Sequence, residues 1–272
     1  IVFIGGWLYS TTFYPTYKGA LELTNLREEV VVYYDAIGVP HINAQNQQDA
    51  YIALGYVHAQ DRLWQMELIR RIAAGRLSEL FGKELVQTDV FFSGLGIEEA
   101  SVKTIKNLDT NSKAYQLTEA YLEGINQFIE NGATPLEFTL VGVNKEKYTI
   151  KDVYNVFGYM AFSFAIAHKT DPLLTEVKEK LGSHYLQELV GSEFKNLTFI
   201  KNEKNKEIEA GFAIAMNELM NHLPVSPFIG SNSWVLGPEK TKNGKVIFAN
   251  DPHIMFSQPS VWYQSHIKTP DY

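Results

Sequence analysis

Few side chains in this sequence stand at spacings that do chemistry. The seven histidines, His41, His58, His168, His184, His222, His253 and His266, are scattered, and none pairs with a second histidine at helical or strand spacing. There is no His-Glu-x-x-His, so the common helical zinc-hydrolase pattern is not encoded. A Gly-x-Ser-x-Gly elbow and a Gly-x-x-x-x-Gly-Lys-Ser/Thr phosphate loop are also missing. The absence of cysteine removes thiolate nucleophiles, thiolate zinc sites and disulfides. What remains is hydroxyl, imidazole and carboxylate chemistry, and two segments are particular in their residue types. The first is Gly38-Val39-Pro40-His41-Ile42, then Gly55-Tyr56-Val57-His58-Ala59-Gln60-Asp61-Arg62-Leu63-Trp64-Gln65-Met66-Glu67, then Arg70-Arg71 and Gly75-Arg76-Leu77-Ser78-Glu79-Leu80-Phe81-Gly82. The second is Gly230-Ser231-Asn232-Ser233-Trp234-Val235, followed by Ala249-Asn250-Asp251-Pro252-His253. Taken alone, Ser231 is an ordinary polar residue at a strand start.

The elements that must carry these segments are readable from periodicity. Val30 to Tyr34, a turn over Asp35 to Gly38, and Val39 to Ala44 form a hairpin pattern. Apolar residues then recur at helical spacing from Asp49 to Gly75, and a short helix over Arg76 to Phe81 is closed by Gly82. Residues 98–192 read as helical almost throughout. Tyr115, Tyr121, Ile125, Phe128 and Ile129 line one face before Gly132; Val153, Val156, Phe157, Met160, Ala161, Phe164 and Ala165 line another. Thr149 and Asp152 resemble a capping box, Thr170-Asp171-Pro172 reads as a helix start, and Gly182 as a stop. A mixed charge run, Lys201 to Glu207, opens a linker or spacer over 201–230. After Gly230 the pattern turns to β, with strands at Ser233 to Leu236, Val246 to Ala249 and Val261 to His266 and a tight turn at Asn243-Gly244.

Composition bounds the class. With 272 residues, 45% hydrophobic and 13% aromatic, the chain supports a sizeable core and is too apolar for disorder. Its net charge of −7 argues against a phosphate-driven nucleic-acid binder. The apolar start Ile1 to Tyr9 is too short to span a bilayer, which takes about 20 residues. It reads either as a first buried strand or as the tail of a signal peptide or membrane anchor lying N-terminal to Ile1.

The paired segments closely resemble the penicillin acylase (penicillin amidase) family of N-terminal nucleophile hydrolases. The first resembles the front of that family's α subunit and the second the start of its β subunit. The resemblance implies an α+β fold, the αββα sandwich of those hydrolases, here incomplete. Residues 1–18 would be a remnant of a signal, anchor or N-terminal extension, 19–200 a mostly helical α-subunit region, 201–230 a spacer, and 231–272 the first strands of the β subunit. It further implies that a precursor cuts itself between Gly230 and Ser231, where glycine presents an unshielded carbonyl to the serine hydroxyl. The freed α-amino group, with a reference pKa of about 7.7–8.0, would then serve as base to its own hydroxyl. An amide substrate would acylate Ser231, its amine would leave, and water would release the acid.

Other roles implied by the resemblance fall on His253, whose main chain would help an oxyanion hole and whose ring would orient the amino group, with a structural histidine as the alternative. Met160, Phe164 and Ile254 would line the acyl pocket, though a stripe such as Met160 and Phe164 is as readily core. Asp171 sits near a position that contributes to a structural calcium site; a helix cap explains it equally. Asp61, Arg62 and Arg70 to Arg76 read as structural ion pairs. Ser93 and Ser163 stand where many members and penicillin-G-selective members, respectively, carry arginine, so substrate preference does not transfer. The implied partners are a small-molecule amide and the remainder of the β subunit. The implied setting is export to the periplasm or cell envelope, with no catalytic cofactor. The chain alone, lacking most of the β subunit, is expected to be inactive, since one missing oxyanion donor already costs about 10²–10³ in rate. Two rival readings are a catalytically incompetent structural or binding module, and a metallohydrolase that chelators would silence.

Overall fold

The computed structural model describes residues 10–165, 167–190, 223–224 and 228–271, and the backbone only of residues 167–172, 190, 228 and 229. The apolar start Ile1 to Tyr9 and most of the spacer expected over 201–230 lie outside them. Two compact units are present, Ile1–Tyr159 with Gln258–Tyr272, and Met160–Ser257.

The first unit opens with the expected hairpin, β1 (Val31–Tyr34) antiparallel to β2 (Pro40–Asn43). Asp35 fixes its turn by accepting from the Ile37 and Val39 amides at 2.9 and 3.0 Å, and Gly38 takes the left-handed φ of +83°. Helix α1 (Gln47–Ala74) starts two residues ahead of Asp49, because Asn46 is the cap and accepts from the Asp49 amide at 2.9 Å. It ends on Gly75, left-handed at φ +65°. Then come α2 (Ser78–Phe81), α3 (Val86–Gly94), α4 (Ile97–Ile105), α5 (Lys113–Asn131), α6 (Leu136–Val141) and α7 (Ile150–Phe164).

Helices α1 and α5 meet backbone to backbone. A Cβ on Gly55 would stand 1.9 Å from the Tyr121 carbonyl oxygen, and one on Gly124 1.9 Å from that of Ile52. Around this crossing Tyr56, Ala59, Leu63 and Met66 pack with Leu122, Ile125, Phe128, Ile129, Phe138 and Tyr148. A second cluster joins Ile42 and Ala44 of the hairpin to Ala50, Ala53 and Val57.

The inner end of α1 carries buried charge. Glu67, Arg70 and Arg71 are all within 4% of full burial. Glu67 pairs with both arginines, at 2.5 Å to Arg71 Nε, and Arg71 reaches Glu79 at 2.5 Å. Arg70 also donates to the Lys147 carbonyl at 3.0 Å and lies over the Tyr148 ring at 4.6 Å. The ion pairs expected of Arg70 to Arg76 are therefore present. Asp61 and Arg62 differ: they form no ion pair among the described residues and instead hold the segment after Gln258. Tyr263 stacks on His58 at 4.4 Å between centroids, and its hydroxyl donates to Asp61 Oδ2 at 2.8 Å. Arg62 and Gln65 donate to the Ser260 carbonyl at 3.3 and 3.1 Å, and Tyr17 donates to Asp61 Oδ1 at 2.7 Å. An acid inside a ring of hydroxyls needs no cation, since two donors already satisfy its oxygens. The strand expected over Val261 to His266 is displaced: β5 is His266–Lys268, and it pairs in parallel with β2.

Helix α7 turns a different face inward from the one its apolar stripe suggested. Asn155, Tyr159 and Ser163 are buried, whereas Phe157 is 54% and Phe164 38% exposed. The Asn155 amide and the Tyr159 hydroxyl have no hydrogen-bond partner among the described residues. Close packing selects this face: Gly158 lets Ile97 approach, and Tyr159 meets Phe92.

In the second unit, α8 (Ala167–Leu181) begins four residues before Asp171, so Asp171 is not its cap and the helix start expected at Thr170-Asp171-Pro172 is overturned. One proline near a helix's start removes a single internal bond, which the remaining turns of α8 outlast. Gly182 ends α8 as expected, and α9 (Ser183–Val190) follows. Strands β3 (Phe228–Leu236) and β4 (Ile247–Ile254) form an antiparallel ribbon. No helix among the described residues is long and apolar enough to cross a membrane.

Replacing Gly124 by Ala forces a methyl into the Ile52 carbonyl and is expected to cost about 1–3 kcal/mol or more in urea denaturation. Gly94→Ala, where an added Cβ meets nothing within 4 Å, is expected to leave the midpoint unchanged or slightly raised. A second expectation concerns His58, whose Nδ1 lies 2.5 Å from the Tyr121 hydroxyl. Burial, with the nearby Arg62 charge, pushes its imidazole down to about 4. The unfolded chain, at about 6.5, takes up the proton first, so this contribution is full above pH 6.5 and is lost as pH falls toward 4. Between pH 7 and 5 it amounts to about 2 kcal/mol, which His58→Gln should remove. In the unsubstituted protein the His58 ring signals should titrate near pH 4 by NMR.

Candidate functional site

The second sequence segment lies on the β3–β4 ribbon, and strand register decides which of its side chains meet. Gly230 pairs with His253, Ser231 with Pro252, and Asn232 with Asp251, with a register irregularity between Phe228 and Gly230. Ser231 is exposed. An added Cβ on Gly230 would meet nothing within 4 Å, and Gly230 is not among the left-handed glycines. Neither packing nor backbone conformation therefore requires glycine at this position.

Side chains alternate faces along a strand, and directly opposite residues share a face. Ser231 and Pro252 thus occupy one face, and Gly230, Asn232, Asp251 and His253 the other. The contact between His253 Nε2 and Asp251 Oδ2, at 3.1 Å, fits that alternation. The register brings the His253 main chain beside Gly230 and Ser231, while its ring points away from the serine hydroxyl. Asp251 received no role from sequence reasoning; the signal for it was an acid two residues before a histidine in a strand. Ile254 ends β4, half-buried.

Met160 and Phe164 stand one turn apart on α7, Met160 half-buried and Phe164 exposed. Between them Ser163 is buried and donates to the Met160 carbonyl at 2.9 Å, so its hydroxyl is spent on its own helix. The Asp171 side chain lies outside the described residues, and no group of three or more histidines and acids fit to hold a metal occurs among those described.

Toward its Leu236–Ile247 end the ribbon is apolar on both faces. Trp234 and Leu236 share one face, Val235 and Phe248 the other, and all are 44–65% exposed. Strands apolar on both sides are those that sheets bury between two layers.

A helix-rich body together with a ribbon bearing a half-buried Gly230 and an exposed Ser231 defines a protein of mixed α and β structure. The chain belongs to the penicillin amidase family, whose sequence model matches residues 29–272. It is 32% identical over 274 residues to the penicillin acylase 2 proenzyme of Pseudomonas sp. (strain SE83), covering 93% of this chain and 34% of that protein. It is 29% identical over 280 residues to the acyl-homoserine lactone acylase QuiP of Pseudomonas aeruginosa, covering 98% of this chain and 33% of that one. Among solved structures, a thermostable penicillin G acylase from Alcaligenes faecalis is 24% identical, with a TM-score of 0.49 over 65% of this chain and 94% of that one. The chain spans about a third of the length of the two curated relatives.

Proposed function

We propose that the full-length protein is a self-processing amidohydrolase whose nucleophile is Ser231. The observation that carries the reading is the glycine at 230: among the described residues nothing requires it, and the family match runs through it to an exposed serine. Ser231 Oγ attacks the Gly230 carbonyl carbon, the C–N bond breaks, and the acyl group passes from nitrogen to oxygen. Water then hydrolyses the ester, leaving the Gly230 carboxylate and a free Ser231 amine. In the mature enzyme that amine, with a reference pKa of about 7.7–8.0, takes the hydroxyl proton as Oγ attacks the substrate amide. The proton passes to the leaving amine, and water releases the acid from the acyl-serine. The His253 main chain, paired with Gly230 across the ribbon, is offered as a donor to the developing oxyanion.

The substrate is a linear amide, either the acyl side chain of a β-lactam or an N-acyl-homoserine lactone; the names of the two relatives support both. Met160, Phe164 and Ile254 are offered as acyl-pocket residues. The two-faced apolar ribbon supports a β subunit whose further strands complete an αββα sandwich. We further propose that the full-length protein works in the periplasm or cell envelope. Asp171 stays a candidate calcium ligand, and no step of the reaction runs through it.

Mass spectrometry of the full-length protein should show a break between Gly230 and Ser231. Ser231→Ala should stay uncut and lose all turnover of both amide classes. His253→Ala, whose ring faces away from Ser231, should process normally and lose less than about tenfold, because the main chain is kept. An uncut bond in the native protein, or activity surviving in Ser231→Ala, would overturn the proposal.

A further inference from the structure

The fold joins two histidines that lie 225 positions apart in the chain. His41 on β2 and His266 on β5 are register partners in a parallel pair, and their Nδ1 atoms stand 3.1 Å apart. His41 Nε2 faces Asp35 Oδ2 at 3.3 Å, and the Tyr33 ring stacks on the His41 ring at 4.6 Å and 8°. Asp35 is itself held by the two amides of its turn, Ile37 and Val39.

These contacts settle the tautomer of His41. A carboxylate only accepts, so His41 carries its proton on Nε2 and presents a lone pair at Nδ1. That lone pair lies 3.1 Å from the matching nitrogen of His266, on a face shared by the central strand β2 and its neighbour β5, where His41 is half-buried and His266 exposed. Two imidazole nitrogens, each about 2.0–2.1 Å from one ion, stand about 2.9 Å apart in square-planar cis geometry and about 3.3–3.4 Å apart in tetrahedral geometry. The observed separation falls between these values. A carboxylate on the far nitrogen of a ligating histidine is the arrangement that orients such rings and raises their basicity.

We propose that His41 and His266 form a two-histidine site for a divalent transition-metal ion of the copper, nickel or zinc type. Asp35 orients His41, and water fills the remaining positions. Imidazole nitrogens favour these ions over calcium or magnesium, which take oxygen ligands. The ion bridges β2 and β5, and so fastens the segment after Gln258 to the front hairpin. This assignment is independent of the chemistry at Ser231.

The test uses the tag-free full chain, stripped with chelator and titrated with Cu(II) in a non-coordinating buffer. Calorimetry should show one strong equivalent, and electron spin-echo spectra should show two coupled imidazoles. His41→Gln and His266→Gln should each lose the strong equivalent, and Asp35→Asn should weaken it about tenfold. Circular dichroism of the metal-free variants checks that they are folded. If one does not fold, spectra of the His168→Gln, His222→Gln double variant, with His41 and His266 intact, decide the matter, because His58, His184 and His253 stand with Tyr121, Glu188 and Asp251 and offer no second imidazole among the described residues. A signal from one imidazole or none, or unchanged binding in His266→Gln, means that the two rings share only a proton, and overturns the assignment.

Discussion

In the first unit two helix backbones come into direct contact, and that contact depends on the absence of two side chains. At Gly55 and Gly124 the helices Gln47–Ala74 and Lys113–Asn131 come so near that a single methyl would collide with a carbonyl oxygen. That proximity sets the depth at which Tyr56, Leu63 and Met66 interleave with Leu122, Ile125 and Phe128. It also sets Tyr121 at hydrogen-bonding distance from His58, the ring on which Tyr263 stacks. The central crossing and the docking of the later segment are therefore one construction, with His58 shared between them.

The long first helix organises polar contacts as well as apolar ones. Asp49 at its start accepts from the Arg27 and Glu28 amides, Asp61 at its middle from two tyrosine hydroxyls, and Glu67 near its end from two arginines. Each carboxylate is satisfied in a different way. Burying an acid without such partners costs several kcal/mol, of order 2–7 even for a neutral polar group. A helix with acids on its inner side thus requires surrounding segments that arrive with donors, which ties those segments to it.

The ribbon that bears Ser231 follows from the period of a strand. With Gly230 opposite His253, the serine and the imidazole take opposite faces, and only the main chain of position 253 stays beside the nucleophile candidate. The exposed apolar residues on both faces, Trp234 and Leu236 on one and Val235 and Phe248 on the other, are suited to an interior between two layers.

Local signals in the sequence were sufficient for the front hairpin, the long helix and its glycine stop, the arginine ion pairs and the switch to β structure after Gly230, since these rest on periodicity, capping and turn chemistry among near neighbours. The two paired motifs were also enough for the family. Ser231, with the glycine before it, was legible only as part of that pattern. Tertiary structure alone decided which face of Ile150–Phe164 is buried, because Gly158 and Ile97 set that choice across unrelated segments. It decided that Asp61 meets two tyrosine hydroxyls and, among the described residues, no cation, and that the strand expected at Val261 to His266 begins only at His266 and joins the front sheet. It also brought His41 to His266, two histidines among seven whose spacing in the chain gave no sign of pairing. Parallel strand pairing needs no sequence proximity: a backbone ladder is satisfied by any strand edge the fold delivers, and the side chains it aligns are chosen by register.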